Sequence, residues 1–155
     1  MATYMEQLQR IVRSYLDDGQ PWPATTRQIA AWAIRKGEWE PQPFALINQC
    51  ADQLARAMRE EHFTDTNGRA IRAKHVARIE RGGEQIALWA DIRSASREHM
   101  QVAFQQRRQQ IVGDCKQLKT DCDYYNENKN HGEPIQVVFD FRTDLEELEQ
   151  EFEPV

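Results

Sequence analysis

Between residues 3 and 17 the apolar side chains Met5, Leu8, Ile11, Val12 and Tyr15 return every three or four positions, which places them on one face of a helix. Gly19 marks its end. Pro21 and Pro23 bracket Trp22 in a stiff connector, and Thr25 or Thr26 offers a hydroxyl to cap a second helix reaching Lys36, with Ile29, Trp32 and Ala33 inward. After a loop over residues 37–42, Pro43 suits the first position of a third helix, because its missing N–H would have no partner there. Phe44, Ile47, Ala51, Leu54 and Met58 form the apolar stripe of that helix, and Asn48, Gln49, Asp52, Gln53, Arg56 and Arg59 form its outer face.

Beyond Glu61 the period shortens. Asn67-Gly68 and Gly82-Gly83 are dipeptides that supply the positive φ of tight hairpin turns, and residues 75–80 and 86–92 flank the second with alternating apolar and polar positions. Ser94 and Ser96 can cap a long helix to Asn126, on which Phe104, Ile111, Cys115, Leu118, Cys122 and Tyr125 keep near-heptad spacing, interrupted at Arg108. A polar loop over 126–134 leads to Ile135, Val137, Phe139 and Phe141, the alternation of a strand. Thr143 and Glu146 then form a capping box ahead of Leu145, Leu148 and Phe152 in a short acidic helix. The order predicts an α+β fold, mostly α: three helices, a hairpin, a long helix, a strand and a closing helix.

The chain's 155 residues suit one compact body with an appendage, and 40% hydrophobic against 29% charged residues is enough to build a core. Division at residue 93 separates a three-helix-plus-hairpin domain, 1–93, from an extension, 94–155. No apolar run is long enough to span a bilayer and Met1 to Arg10 lacks signal-peptide design, so a cytoplasmic protein without membrane contact is expected. Net charge is −5, unevenly spread: residues 1–93 hold 13 Lys and Arg against 12 Asp and Glu, and residues 94–155 hold 7 against 13. Between Asn67 and Arg81 lie Arg69, Arg72, Lys74, Arg78 and Arg81 with the single acid Glu80, a local positive field. Arginine outnumbers lysine 15 to 5, which favours planar contacts to phosphates, bases or carboxylates.

Three helices followed at once by a hairpin resemble a winged helix-turn-helix domain over residues 3–93. The resemblance is carried by TTRQIAAWAIRKG as positioning helix, PFALINQCADQLARAMREEHF as recognition helix and KHVARIERGGEQIALWADI as wing. It implies that the third helix enters the DNA major groove while the wing touches phosphates or the minor groove. The connector 37–42 departs from the simplest form in being longer and carrying Glu38 and Glu40.

The candidate DNA contacts are therefore Asn48, Gln49, Gln53, Arg56 and Arg59 on the helix and Arg69, Arg72, Lys74, Arg78 and Arg81 on the wing stretch. The amides suit base edges and the guanidiniums suit bases or phosphates. No GxxxxGK[ST], GxGxxG or GxSxG motif is present, which excludes the familiar nucleotide-binding and hydrolase signatures, and no enzyme, cofactor or catalytic residue is expected. The three cysteines, Cys50, Cys115 and Cys122, lack zinc spacing, so Cys115 and Cys122 read as buried apolar thiols and no metal is expected. A DNA-binding transcription regulator, dimerised through residues 94–155, is the leading expectation. A winged-helix adaptor that binds protein and no DNA is the alternative.

Overall fold

Each of the first two helices starts on a threonine whose side chain replaces an acceptor that the helix itself cannot supply. The computed structural model describes residues 1–42 and 45–151. Thr3 precedes α1 (Tyr4–Asp17), where its Oγ1 accepts the Glu6 N–H at 3.1 Å and Glu6 Oε2 accepts the Thr3 N–H at 2.9 Å. Thr25 and Gln28 repeat the exchange at 3.1 and 2.8 Å ahead of α2 (Thr26–Arg35), so Thr25 is the cap. Gly19 and Gly37 close the two helices at φ +71° and +70°, the left-handed turn that a side chain would strain.

The chain divides into two compact units, Met1–Gln53 and Leu54–Val155. In the first, Tyr15, Trp32 and Ala33 form the buried core, with Ile11, Ala24, Ile29 and Trp39 packed around it. The Tyr15 and Trp32 rings meet edge to face at 5.5 Å. Both polar ends are satisfied, Tyr15 Oη donating to the Pro21 carbonyl at 2.7 Å and Trp32 Nε1 to Asp18 Oδ2 at 3.1 Å. Trp39 Nε1 donates to Tyr4 Oη at 3.0 Å, which ties the loop after α2 to α1. The third helix, α3 (Leu46–Glu60), continues across the boundary between the units. Of its apolar stripe, Ile47 and Leu54 are exposed and Met58 is half-buried, while the expected helix start at Pro43 and Phe44 lies outside the described residues.

The second unit holds two antiparallel hairpins. Strands β1 (His62–Thr64) and β2 (Ala70–Arg72) pair with Phe63 opposite Ile71, and β3 (Lys74–Arg81) pairs with β4 (Glu84–Asp91) with Ala77 opposite Leu88. Gly82 and Gly83, at φ +61° and +82°, make the two-residue turn expected of that dipeptide. The Asn67-Gly68 turn differs from expectation. Only Gly68 has positive φ, and residues 65–69 form a longer loop in which the Asp65 carboxylate accepts the Asn67 and Arg69 N–H groups at 2.9 Å each. Ala73, 1% exposed, joins the hairpins through its N–H to the Glu61 carbonyl at 2.9 Å and its carbonyl to the Ile92 N–H at 2.8 Å.

The long helix α4 (Arg97–Asn128) starts on Ser96, whose Oγ accepts the His99 N–H at 3.1 Å. It packs along β3, where Ala77 and Ala103 are buried and Phe104 stands edge-on to His75 at 5.5 Å. Gln106 replaces a missing strand: its Oε1 accepts the Arg78 N–H and its Nε2 donates to the Arg78 carbonyl, both at 2.7 Å.

The strand expected at residues 135–141 does not form. Asn126 instead takes both backbone groups of Ile135, at 2.8 and 2.9 Å, and so fixes the segment to the end of α4 with no sheet edge beside it. The alternation remains in part as burial, with Val137 and Phe139 half-buried and Val138 73% exposed. The closing helix α5 (Arg142–Glu151) begins one residue before Thr143, with Asp140 accepting the Arg142 N–H at 3.3 Å, so the Thr143–Glu146 capping box is replaced; Phe152 lies outside the described residues. The cysteines also differ from expectation. Cys50 is exposed, Cys115 and Cys122 are only half-buried, and Cys122 Sγ donates to the Ile135 carbonyl at 3.2 Å. The described residues thus form an α+β fold of five helices and two small antiparallel hairpins. None of those helices is long and apolar enough to cross a membrane.

The Tyr15–Trp32 contact sets the stability of the first unit. Trp32→Ala is expected to cost about 3–5 kcal/mol, and Tyr15→Phe about 0.5–1.5 kcal/mol. Urea unfolding followed by far-ultraviolet circular dichroism checks both.

Candidate anion-binding cleft

Three separate elements bring arginines to one concave surface of the second unit. Arg59 comes from the last turn of α3, Arg72 from the end of β2 and Arg107 from α4. With Lys74 and Arg78 of β3 they line a cleft of about 450 Å³. Val76, Trp89, Ala103 and Ile111 supply its apolar wall, and the side chains of His75, Gln106 and Gln110 complete it. No Asp or Glu is among the lining residues.

The carboxylates nearby are engaged elsewhere. Asp91 takes Lys74 at 3.0 Å and Arg93 at 2.7 Å, Glu61 takes Lys74 at 3.2 Å, and Asp65 takes Arg69 at 2.8 Å. Hydrogen bonds from Arg93, then from Lys74, hold the Asp91 carboxyl well below the usual carboxylate range. Arg93 also lies over the Phe63 ring at 4.5 Å, which links the β1–β2 hairpin to the end of β4. Among the described residues, Arg59, Arg72, Arg78 and Arg107 have no such carboxylate.

Arg72 bears the strongest consequence. Burial, then the charges of Arg107 and Arg59, push its guanidinium downward in pKa, although an arginine stays protonated. Its Nε is buried and has no hydrogen-bond acceptor. A buried charged donor without an acceptor is costly, so the Arg72 guanidinium is under-satisfied within the protein. Arg59 sits over the Trp89 ring at 5.7 Å, a contact that positions the guanidinium without neutralising it.

His75 is the neutral member. It is 6% exposed and its Nε2 donates to the Arg72 carbonyl at 2.9 Å, while His99 Nε2 donates to the His75 carbonyl at 2.9 Å. Burial, with the Arg107 and Arg72 charges and His99 adding to it, holds the His75 pKa below the usual histidine value, against the opposing effect of the Arg72 hydrogen bond. The ring thereby packs on Phe104 and ties to the Arg72 backbone without adding a further positive charge.

The residues nominated from sequence fall into three groups. Arg59, Arg72, Lys74 and Arg78 line the cleft. Asn48, Gln49, Gln53 and Arg56 are exposed along α3, and Arg81 is exposed beside the Gly82-Gly83 turn. Arg69 is drawn onto Asp65 in the β1–β2 loop. Sequence reasoning missed Arg107, Trp89, Gln106 and Gln110. The Gln-rich patch at residues 105–110 was a legible signal, since positions 106, 107 and 110 share one side of α4. Among the described residues no three His, Cys, Asp or Glu side chains gather as a metal ion would require.

No family model, no curated protein and no solved structure matches the chain.

The depressed His75 pKa carries a stability consequence. The unfolded chain takes up the proton at higher pH than the folded one, so stability is full above about 6.5 and falls as pH drops through that value towards the lower folded one. His75→Gln is expected to flatten this part of the profile. Urea unfolding at a series of pH values through that window measures the change in slope.

Proposed function

We propose that the chain is a DNA-binding regulatory protein with a winged-helix arrangement, in which α2 and α3 form the helix-turn-helix pair and the β3–β4 hairpin is the wing. The observation that carries this reading is the uneven pairing of the basic residues. Lys74, Arg93 and Arg69 each hold a carboxylate, whereas Arg59, Arg72, Arg78 and Arg107 are left for an external anion. Phosphate is the anion that a planar guanidinium fork meets best. Exposed Asn48, Gln49, Gln53 and Arg56 give α3 the donors and acceptors needed to read base edges. The order of elements, three helices and then the hairpins, supports the winged-helix arrangement.

A homodimer through residues 94–155 belongs to the same proposal. Ile111 and Leu118 on α4, Val138, and Leu145 and Leu148 on α5 are all about half exposed or more, and a second copy would cover them. That region holds 7 Lys and Arg against 13 Asp and Glu, so two copies repel at low salt. The dimer is therefore expected to strengthen with salt while DNA binding weakens. Light scattering across a salt series reads the first trend, and a monomer at every salt and protein concentration removes the dimer from the proposal. The same bare surface favours the adaptor reading if DNA binding fails.

Fluorescence anisotropy with labelled duplex DNA tests the main reading. Arg81→Ala is expected to lower the salt slope of binding by about 0.9, the share of one phosphate contact. Arg56→Ala is expected to reduce discrimination between sites by about 1–3 kcal/mol while keeping most non-specific affinity. Absence of duplex binding at low salt, where electrostatic attraction is strongest, overturns the DNA reading and leaves the adaptor.

A further inference from the structure

Arg59, Arg72 and Arg107 together carry more positive charge than one phosphodiester can answer, while the exposed Arg78 and Arg81 remain for a duplex. A duplex backbone offers one negative charge at each phosphate and presents its phosphates along a convex surface. Here Arg59, Arg72 and Arg107 reach one concavity from three elements, and no carboxylate lines it. A single monoanion would leave at least two of those guanidiniums uncompensated. Arg72 is half-buried on the cleft wall and has no carboxylate, so its charge would be met by an anion within the cleft rather than by one that passes over its rim.

We propose that this cleft binds a phosphomonoester dianion, held by Arg59, Arg72 and Arg107, with the organic part of the molecule against Trp89. A phosphomonoester carries close to two negative charges at neutral pH and three strong acceptor oxygens, enough to engage several guanidinium forks at once. About 450 Å³ admits a molecule the size of a nucleotide and lies within the usual range for small-ligand sites. Trp89 supplies a flat apolar wall, and Arg59 lies over its ring at 5.7 Å, at the edge of that wall where the phosphate would sit. Gln106 is engaged by the Arg78 backbone and fixes the rim. The same group is presented by a free phosphorylated metabolite and by the 5′ end of a nucleic-acid strand. The inference extends the anion-binding part of the proposed function, and it does not depend on α3 reading duplex DNA.

Calorimetric titration of the full chain in phosphate-free buffer tests it, with four probes: adenosine 5′-monophosphate, adenosine, and a short single strand bearing either a 5′-phosphate or a 5′-hydroxyl. Adenosine 5′-monophosphate is expected to bind and adenosine is not. Arg107→Gln, at an exposed helix position, should weaken that binding about tenfold or more. Arg107→Lys, which keeps the charge and loses the fork, should weaken it less, and Arg81→Ala should leave it unchanged. A phosphorylated strand that binds about tenfold better than its hydroxyl counterpart identifies a strand end as the source. Equal binding of the two strands, with adenosine 5′-monophosphate still bound, identifies a free metabolite. Equal behaviour of adenosine and its monophosphate, or monophosphate binding indifferent to Arg107→Gln, overturns the inference. Should Arg107→Gln lose helical circular dichroism, Arg59→Gln is read in the same titration with the same expectation. A lowered salt slope of duplex binding in Arg81→Ala, with monophosphate binding retained, separates the two sites. Monophosphate binding by a protein that binds no duplex sustains the cleft and rejects the DNA reading.

Discussion

Like charges held together in a concave surface repel, so three arginines without a carboxylate among them, one of them half-buried, must be held in place by the rest of the unit. Most of the second unit can be understood as that restraint. Lys74, Asp91, Glu61 and Arg93 form a network that joins β3 to the end of β4 and to the start of the β1–β2 hairpin. The buried backbone of Ala73 joins the same elements through hydrogen bonds to residues 61 and 92. Gln106 attaches α4 to the open edge of β3, and the neutral ring of His75 holds the Arg72 backbone carbonyl. Each contact fixes one of the elements that carries a guanidinium.

The same network explains which basic residues are free. Asp91, two positions from Arg93, and Asp65, four from Arg69, close ion pairs within their own turns. Arg72 has no acid two or four positions away and Arg78 is not paired with Glu80 two positions on, while Arg107 lines the cleft with residues of β3. Net negative charge over the whole chain therefore coexists with a positive cleft, because the acids of residues 94–155 lie mainly on the later part of α4 and on α5.

Local patterns carried much of the fold. The 3.6-residue period placed α1, α2 and α4 to within a few residues, the two threonines set the first two helix starts, and Gly82-Gly83 set the β3–β4 register. Three features departed from these local patterns. Alternation at residues 135–141 is a strand signal only when a sheet edge is available, and the Asn126 side chain had already taken the backbone of Ile135. The start of α5 falls at Arg142, whose N–H and guanidinium Asp140 takes, one residue ahead of Thr143. The cleft was half legible. The run from Arg69 to Arg81 marked the positive field, but Arg107 and Trp89 join it only through the packing of α4 on β3 and the pairing of β4 with β3. Arg69 and Lys74 looked equivalent to Arg72 and Arg78 in sequence, and the difference lies in the carboxylates that the fold brings to them.

Arginine side-chain nuclear magnetic resonance tests the central claim most directly, by following the Nε–H signals while inorganic phosphate is added. The account predicts that Arg72 and Arg107 shift together and saturably, while Arg69 and Arg93, already held by Asp65 and Asp91, stay where they are. Equal shifts at all four positions, or an Arg72 signal that phosphate does not move, would contradict it.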